Sequence, residues 1–170
     1  TAEASALAWD NLRARTDNGL IHVDLSGTPD ELVRRRVRIG DRDIGMGGCA
    51  PDLFGIAAVL DVPFQVEDTC AATGAPIRID FVPGGVEHVD PPDTVVSVIS
   101  PEEIRGSFAM PPEEVNTVIC SQMRFFASRR AARDWLVEHP GGRVLAVHEL
   151  LGMDIFTGFR NTLRPLIEAV

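Results

Sequence analysis

Residues 47–52, with the sequence Gly-Gly-Cys-Ala-Pro-Asp, set a thiol at Cys49 and a carboxyl group at Asp52 just before a helical pattern begins. Proline suits the first turn of a helix, and apolar residues then recur at helical spacing, so a helix is predicted over 51–60. Its N-terminal dipole should lower the pKa of Cys49 and favour the thiolate. We expect Cys120 to meet Cys49 around Asp52. The apolar positions are Leu53, Ile56, Ala57 and Leu60.

A glycine-rich stretch from Gly45 to Gly48 delivers the chain to this thiol. Glycine can adopt positive φ or let the backbone approach a ligand closely. Two interpretations stay open: these glycines shape a site, or they only turn the chain. Upstream, Val37 to Ile44 predicts a strand or a hairpin around Gly40-Asp41.

Size and composition indicate one soluble domain. A chain of 170 residues should bury roughly 70% of the surface that its unfolded form exposes. No apolar run approaches the ~20 residues that span a bilayer, and the N-terminus lacks the order of a signal peptide. We therefore expect a cytoplasmic protein with no membrane partner.

The net charge and the number of cysteines exclude some classes of function. The net charge is −9 and the sixteen basic residues are mostly scattered, which argues against a nucleic-acid partner. Three cysteines, an odd number in a reducing compartment, argue against a disulfide scaffold. Metal binding and thiol chemistry are the options that remain.

The rest of the chain predicts an α+β fold, in which antiparallel or mixed β-sheet segments are flanked by helices. A capping box, Ser-Pro-Glu-Glu at 100–103, predicts one helical turn. The other predicted helices cover 4–15, 29–36 and 129–138, with an amphipathic helix from 155 to 167. The predicted strands are 19–24, 63–68, 76–81, 85–90, 94–100 and 143–148, of which the middle four should form an antiparallel meander.

Four pieces of this sequence together resemble one family, the organomercurial (alkylmercury) lyases. They are CAPD from Cys49, CAATGAP from Cys70, CSQMRFFAS from Cys120 and VHELLG from Val147. They follow the family's order at similar separations. The resemblance implies a single domain over 1–170, with an alkylmercury-lyase-like catalytic core at 45–170. A short helix and strand region at 1–44 would precede that core.

The resemblance also implies roles for individual residues. Cys49 and Cys120 match the two catalytic cysteines that bind mercury, Asp52 matches the catalytic aspartate, and Cys70 matches a cysteine regarded as structural. Mercury is a soft metal that prefers thiolate ligands. The implied reaction is protonolysis, in which R–Hg⁺ and a proton give R–H and Hg(II) held by the two cysteines and Asp52. It implies no organic cofactor, an organomercurial substrate, low-molecular-weight thiols as co-reactants and a mercuric reductase as partner.

Two differences from the family leave alternatives open. Only 48 residues precede Cys49, fewer than the family usually has, and Gly48 stands where relatives often carry an aromatic residue. Either difference would reshape the pocket, so one alternative is a lyase-fold enzyme for acid–base or thiol-dependent chemistry on another metabolite. The other is a non-catalytic binder of mercury or copper, against which the presence of Asp52 argues.

Overall fold

The computed structural model has an α+β fold, as predicted, built from antiparallel sheets and short helices. It describes residues 13–17, 20–24, 35–46, 48–107, 109–111, 114–153 and 161. The strands are β1 (Arg13–Asp17), β2 (Leu20–Asp24), β3 (Arg35–Ile39), β4 (Arg42–Met46), β5 (Phe64–Thr69), β6 (Pro76–Val82), β7 (Gly85–Asp90), β8 (Val95–Val98), β9 (Phe125–Phe126) and β10 (Arg143–Ala146). The α-helices are α1 (Asp52–Leu60), α2 (Pro101–Ser107), α3 (Arg133–Glu138) and α4 (Val147–Leu151).

A five-stranded antiparallel sheet in the order β4-β3-β5-β6-β7 contains two of the predicted features. β3 and β4 form the hairpin around Gly40-Asp41, and β5 to β7 form the first three strands of the predicted meander. Burial alternates along β3 and β6, which is the pattern of strands with one face on the core. This sheet therefore supplies one wall of the core.

The predicted meander is wrong for its fourth strand. β8 lies in a separate three-stranded sheet in the order β10-β8-β9. It pairs antiparallel with β9, where Val96 stands opposite Phe125. The physical reason is burial: three of its four residues are buried, so β8 is covered by packing on both faces and does not extend the sheet edge at β7. This pairing brings the chain that follows Cys120 into the core.

Helix α1 is anchored between the two sheets. It begins at Asp52, and Pro51 has a helical φ of −58°. The ring of Phe54 contacts Phe81 of β6 edge-on at 5.5 Å between centroids, and it lies 6.5 Å from the ring of Phe125 in β9. The buried face is shifted from the predicted one: Phe54 is fully buried, whereas Ile56 and Ala57 are only partly buried and pack against the core. The buried residues of α1 are Leu53, Phe54 and Ala58.

Two predicted helices near the N-terminus are wrong where the structure describes them. Residues 13–15 lie in β1, which pairs with β2, and residues 4–12 lie outside the described ranges. Arg35 and Arg36 belong to β3, while residues 29–34 also lie outside those ranges. Local sequence patterns predict helices in both segments, but their described residues pair as antiparallel strands, because tertiary contacts outweigh local propensity.

Of the predictions after residue 99, the capping box is confirmed and two elements have different bounds. The capping box is present, with the Ser100 N–H donating to Glu103 Oε2 at 2.8 Å and the Glu103 N–H donating to Ser100 Oγ at 3.2 Å. The predicted strand 143–148 ends at Ala146, because α4 begins at the next residue, Val147. The predicted helix 129–138 begins only at Arg133. The amphipathic helix at 155–167 falls outside the described residues except Asn161. Among the helices of the described ranges, none has the length and apolar character to cross a bilayer.

Candidate active site

Cys49, Asp52 and Cys120 lie together in the folded chain. Their two sulfurs and a carboxylate oxygen all lie within 4.8 Å of one another, although the cysteines are 71 positions apart in sequence. Cys49 is buried, Cys120 is half-buried and Asp52 is exposed. The predicted convergence is therefore observed, and the cluster opens to solvent on the side of the carboxylate.

Backbone hydrogen bonds join the two cysteine-bearing segments directly. Cys49 lies in the loop between β4 and α1, whereas Cys120 begins a 3-10 turn, Cys120–Gln122, after a π-helix at Val115–Ile119. The Ala50 N–H donates to the carbonyl of Met123 at 3.0 Å, and the Met123 N–H donates to the carbonyl of Cys120 at 3.3 Å. The first bond holds the loop that carries Cys49 against the segment that follows Cys120, and the second closes the turn that begins at Cys120.

Ser97, on β8, holds the chain that follows Cys120. Its hydroxyl donates to the carbonyl of Gln122 at 2.9 Å and accepts from the N–H of Arg124 at 2.8 Å. The side chain is completely buried, and a buried hydroxyl with these partners fixes its neighbours firmly. Ser97 was not among the predicted site residues, since a serine in an apolar strand gives no signal of its partner.

The carboxylate of Asp52 turns back onto the loop that carries Cys49. Its Oδ2 accepts a hydrogen bond from the Cys49 N–H at 2.7 Å, and the Asp52 N–H donates to the Cys49 carbonyl at 3.2 Å. A negative charge in the first turn of α1 is also favoured by the helix dipole. One carboxylate oxygen is thus held beside the sulfurs although the residue is exposed.

Gly48 shapes this site, which decides between the two interpretations of the glycine-rich stretch. It has a φ of +79°, a left-handed conformation that favours glycine. A Cβ atom placed at this position would lie 2.6 Å from Oδ2 of Asp52. The carboxylate of Asp52 therefore occupies the space that a side chain at position 48 would need.

The two thiols of the site differ in acidity. The interaction with the Cys120 thiol, together with burial and the nearby charge of Asp52, raises the pKa of Cys49 well above its ordinary value. The same interaction lowers the pKa of Cys120, against the opposing effects of burial and Asp52, and the charge of Arg35 lowers it further. The prediction that the helix dipole lowers the pKa of Cys49 is therefore wrong, because the thiol is buried beside a carboxylate. The pKa values of the two thiols shift in opposite directions, and Cys120 is also the more exposed of the two.

Arg35 places a buried positive charge next to the site. Its Nε lies 2.9 Å from Oδ2 of Asp68 on β5, and both side chains are buried. Its Nη1 donates a long, weak hydrogen bond to the Gly48 carbonyl at 3.5 Å, and its guanidinium lies 5.8 Å from the ring centroid of Phe125. Arg35 was not among the predicted site residues. The available signal was its alternation with Val37, which places both side chains on the inner face of β3.

Cys70 lies outside the cluster of three. It is buried in the turn between β5 and β6, where its N–H donates to the carbonyl of Ala75 at 2.7 Å. Burial raises its pKa, but hydrogen bonds from the Thr73 hydroxyl and from nearby backbone amides outweigh this and lower the pKa. It also lines a cavity of about 470 Å³ that Arg35 and Arg124 border and that includes none of the three clustered residues.

The fold and the site together define a class of protein. Two cysteines and a carboxylate on an α+β framework form a centre for thiol chemistry or for a soft metal, because thiolates bind such metals in preference to harder ones. The family model described as MerB, alkylmercury lyase, matches residues 33–157. The chain belongs to the alkylmercury lyase family.

Individual relatives agree with this assignment. The chain is 33% identical to the alkylmercury lyase of Bacillus cereus over 112 residues, which are 66% of this chain and 48% of that protein. It is 34% identical to the alkylmercury lyase of Streptomyces lividans over 122 residues, which are 72% of this chain and 49% of that protein. The chain thus spans about half the length of these curated relatives.

A solved structure supports the fold. The crystal structure of the mercury-bound form of MerB2 superposes with a TM-score of 0.63, covering 98% of this chain and 74% of that chain. The sequence identity is 20%, so this likeness concerns the fold alone.

Proposed function

We propose that this protein is an organomercurial lyase, which cleaves a carbon–mercury bond by protonolysis. The proposal depends on one observation, the placement of two sulfurs and a carboxylate oxygen within 4.8 Å of one another. Membership of the alkylmercury lyase family supports the same activity. In this proposal Cys49, Asp52 and Cys120 are the catalytic residues.

Cys120 makes the first attack. As the more acidic and more exposed thiol, it supplies a thiolate to the mercury atom of an adduct R–Hg–SR′. A bond forms between the Cys120 sulfur and mercury while the bond from mercury to the external sulfur breaks. The external thiolate leaves with the electron pair. R–Hg then stays on Cys120.

Cys49 supplies both the second sulfur and the proton. Its thiol stays protonated until the Asp52 carboxylate, held beside it, takes the proton and leaves a thiolate that binds mercury. The second thiolate adds electron density to mercury and weakens its bond to carbon. The carboxylic acid of Asp52 then protonates the carbon, R–H departs, and Hg(II) remains on Cys49 and Cys120. Asp52 returns to the carboxylate form, so charge and protons balance.

The remaining components of the reaction are also proposals. No organic cofactor enters this scheme, because the proton comes from a cysteine and the mercury ion is the product. Low-molecular-weight thiols deliver the substrate and remove Hg(II) by exchange, and a mercuric reductase would accept it. We place the protein in the cytoplasm, where thiols are kept reduced.

Phenylmercury with an excess of an external thiol tests the proposal. The lyase should release benzene, measured by gas chromatography, with continued turnover. Phenylmercury that binds without releasing benzene would identify a soft-metal carrier. Neither binding nor release would point to a lyase-fold enzyme that acts on another metabolite, and either of these two results would overturn the proposed activity.

A further inference from the structure

We infer that Gly48 is a positioning residue for Asp52, since its left-handed backbone and missing side chain leave open the space where the carboxylate lies beside both sulfurs. The inference rests on the proposed function, in which Asp52 carries the proton. Gly48 itself contributes no reacting atom.

The steric argument concerns a single oxygen. A Cβ at Gly48 would lie 2.6 Å from Oδ2 of Asp52, closer than real Cβ atoms come to another heavy atom. The same Oδ2 accepts the hydrogen bond from the Cys49 N–H at 2.7 Å. On this left-handed backbone, a side chain at position 48 and the present position of the carboxylate are therefore mutually exclusive.

The surroundings determine which group would move. The Gly48 carbonyl accepts a long, weak hydrogen bond from Arg35 at 3.5 Å, and Arg35 is itself fixed by its buried ion pair with Asp68. Two residues further on, the Ala50 N–H donates to the Met123 carbonyl at 3.0 Å and holds the loop against the chain that follows Cys120. Asp52, by contrast, is exposed and its carboxylate ends a side chain that can rotate. A side chain at position 48 would thus displace the carboxylate and leave the two sulfurs in place.

The chain offers a matched control for the backbone strain. Gly84 has a φ of +76°, nearly the value of Gly48, but a Cβ there would meet no heavy atom within 4 Å. Alanine at either position bears the strain of a positive φ, whereas only alanine at position 48 contacts the carboxylate. The comparison of Gly48→Ala with Gly84→Ala therefore isolates the steric effect.

The test combines Gly48→Ala with Asp52→Ala in a double-mutant cycle on single-turnover benzene release from phenylmercury. Gly48→Ala should still bind Hg(II) but release benzene about 10²- to 10⁴-fold more slowly, the range for loss of a general acid. The double variant should be no slower than Asp52→Ala alone, and Gly84→Ala should match the wild type. Wild-type release from Gly48→Ala, or additive losses in the double variant, would overturn the inference.

Two further readouts do not depend on turnover. The amide proton resonance of Cys49 in Gly48→Ala should shift to its value in Asp52→Ala, because both variants remove the same hydrogen bond, and Gly84→Ala should leave it unchanged. If Gly48→Ala is too unstable for spectra, its thermal midpoint should recover when Asp52→Ala is added, since that substitution removes the clash. An unchanged Cys49 resonance, or no such recovery, contradicts the inference. A wild type that releases no benzene would overturn the proposed function alone.

Discussion

The two cysteines of the site occupy different environments, so their thiols should react in a fixed order. Cys49 is 4% exposed whereas Cys120 is half-buried, and the interaction between the two thiols raises the pKa of Cys49 and lowers that of Cys120. A thiolate is the reactive form of cysteine, and a lowered pKa increases its population at any pH below the midpoint. Cys120 should therefore meet an electrophile or a metal adduct before Cys49 does.

Alkylation kinetics test this order. With limiting iodoacetamide at neutral pH, Cys120 should be labelled first, and the midpoint of its rate against pH should lie below that of an ordinary thiol. Cys49→Ala removes the interaction with the Cys49 thiol, so the pKa of Cys120 should rise and its labelling at neutral pH should slow. Peptide mass spectrometry over a pH series measures both, with Cys70→Ala as the background that removes the third thiol. Earlier labelling of Cys49, or an unmoved midpoint in Cys49→Ala, would contradict the assignment.

At this scale the sequence predicted which residues meet but not how they behave. The motifs around Cys49 and Cys120 indicated that these two residues and Asp52 form one site, and their atoms are clustered. The predicted lowering of the Cys49 pKa was wrong. The sequence shows where the helix begins, but the burial of the thiol and its contact with Cys120 are tertiary features that raise the pKa. The close approach of Gly48 to the Asp52 carboxylate is also a tertiary feature that the sequence does not show.

At the scale of elements, the ion pair between Arg35 and Asp68 connects β3 and β5 underneath the site. Both side chains are almost completely buried, at 2% and 7% exposure. Removal of one partner from a buried pair leaves an uncompensated charge, which costs much more than the pair itself contributes. The pair therefore matters for the register of the two strands that support the Gly48 loop.

Urea unfolding of ion-pair variants measures this contribution. Asp68→Ala should lower the free energy of unfolding by about 3–5 kcal/mol, because Arg35 stays buried without its partner. The double variant Arg35→Met with Asp68→Leu should recover most of that loss. Asp43→Ala, which breaks the exposed pair with Arg38, should change stability little. Equal effects of Asp68→Ala and Asp43→Ala would refute the buried-pair account.

The elements that were predictable are those with local signals. Glycine and aspartate mark the β3–β4 hairpin, proline marks the start of α1, and the capping box marks α2, and all three are present. The errors arise where strand pairing decides. Residues 13–15 pair with β2 in a local hairpin that outweighs their helical spacing. β8 pairs with β9 and β10, partners that lie at least 27 positions later in the chain. No short pattern records such partners.

For the whole molecule, we propose that residues 1–170 form a single domain, with a region at 1–44 and a core at 45–170. Core residues come from the five-stranded sheet, the three-stranded sheet and helices α1, α3 and α4, which favours one cooperative unit. A ligand that binds only the folded state stabilises that unit as a whole. The Hg(II) site should therefore be coupled to global unfolding.

Calorimetry with and without mercury tests this coupling. The wild type should unfold in one transition, and Hg(II) at 100 times its dissociation constant should add about 2.7 kcal/mol to the free energy of unfolding. Cys49→Ser and Cys120→Ser should each lose most of this gain, whereas Cys70→Ser should retain it. Two separate transitions, or equal stabilisation of the Cys120→Ser variant, would contradict the proposal.

The central claim is that two sulfurs and one carboxylate act on the same mercury atom. Single-turnover release of benzene from phenylmercury, with enzyme in excess, tests it most directly. The wild type should yield one benzene per mercury and retain Hg(II), the serine variants of Cys49 and Cys120 should yield none, and Asp52→Asn should bind phenylmercury but release benzene about 10²- to 10⁴-fold more slowly. Release at the wild-type rate from any of the three variants would contradict the account.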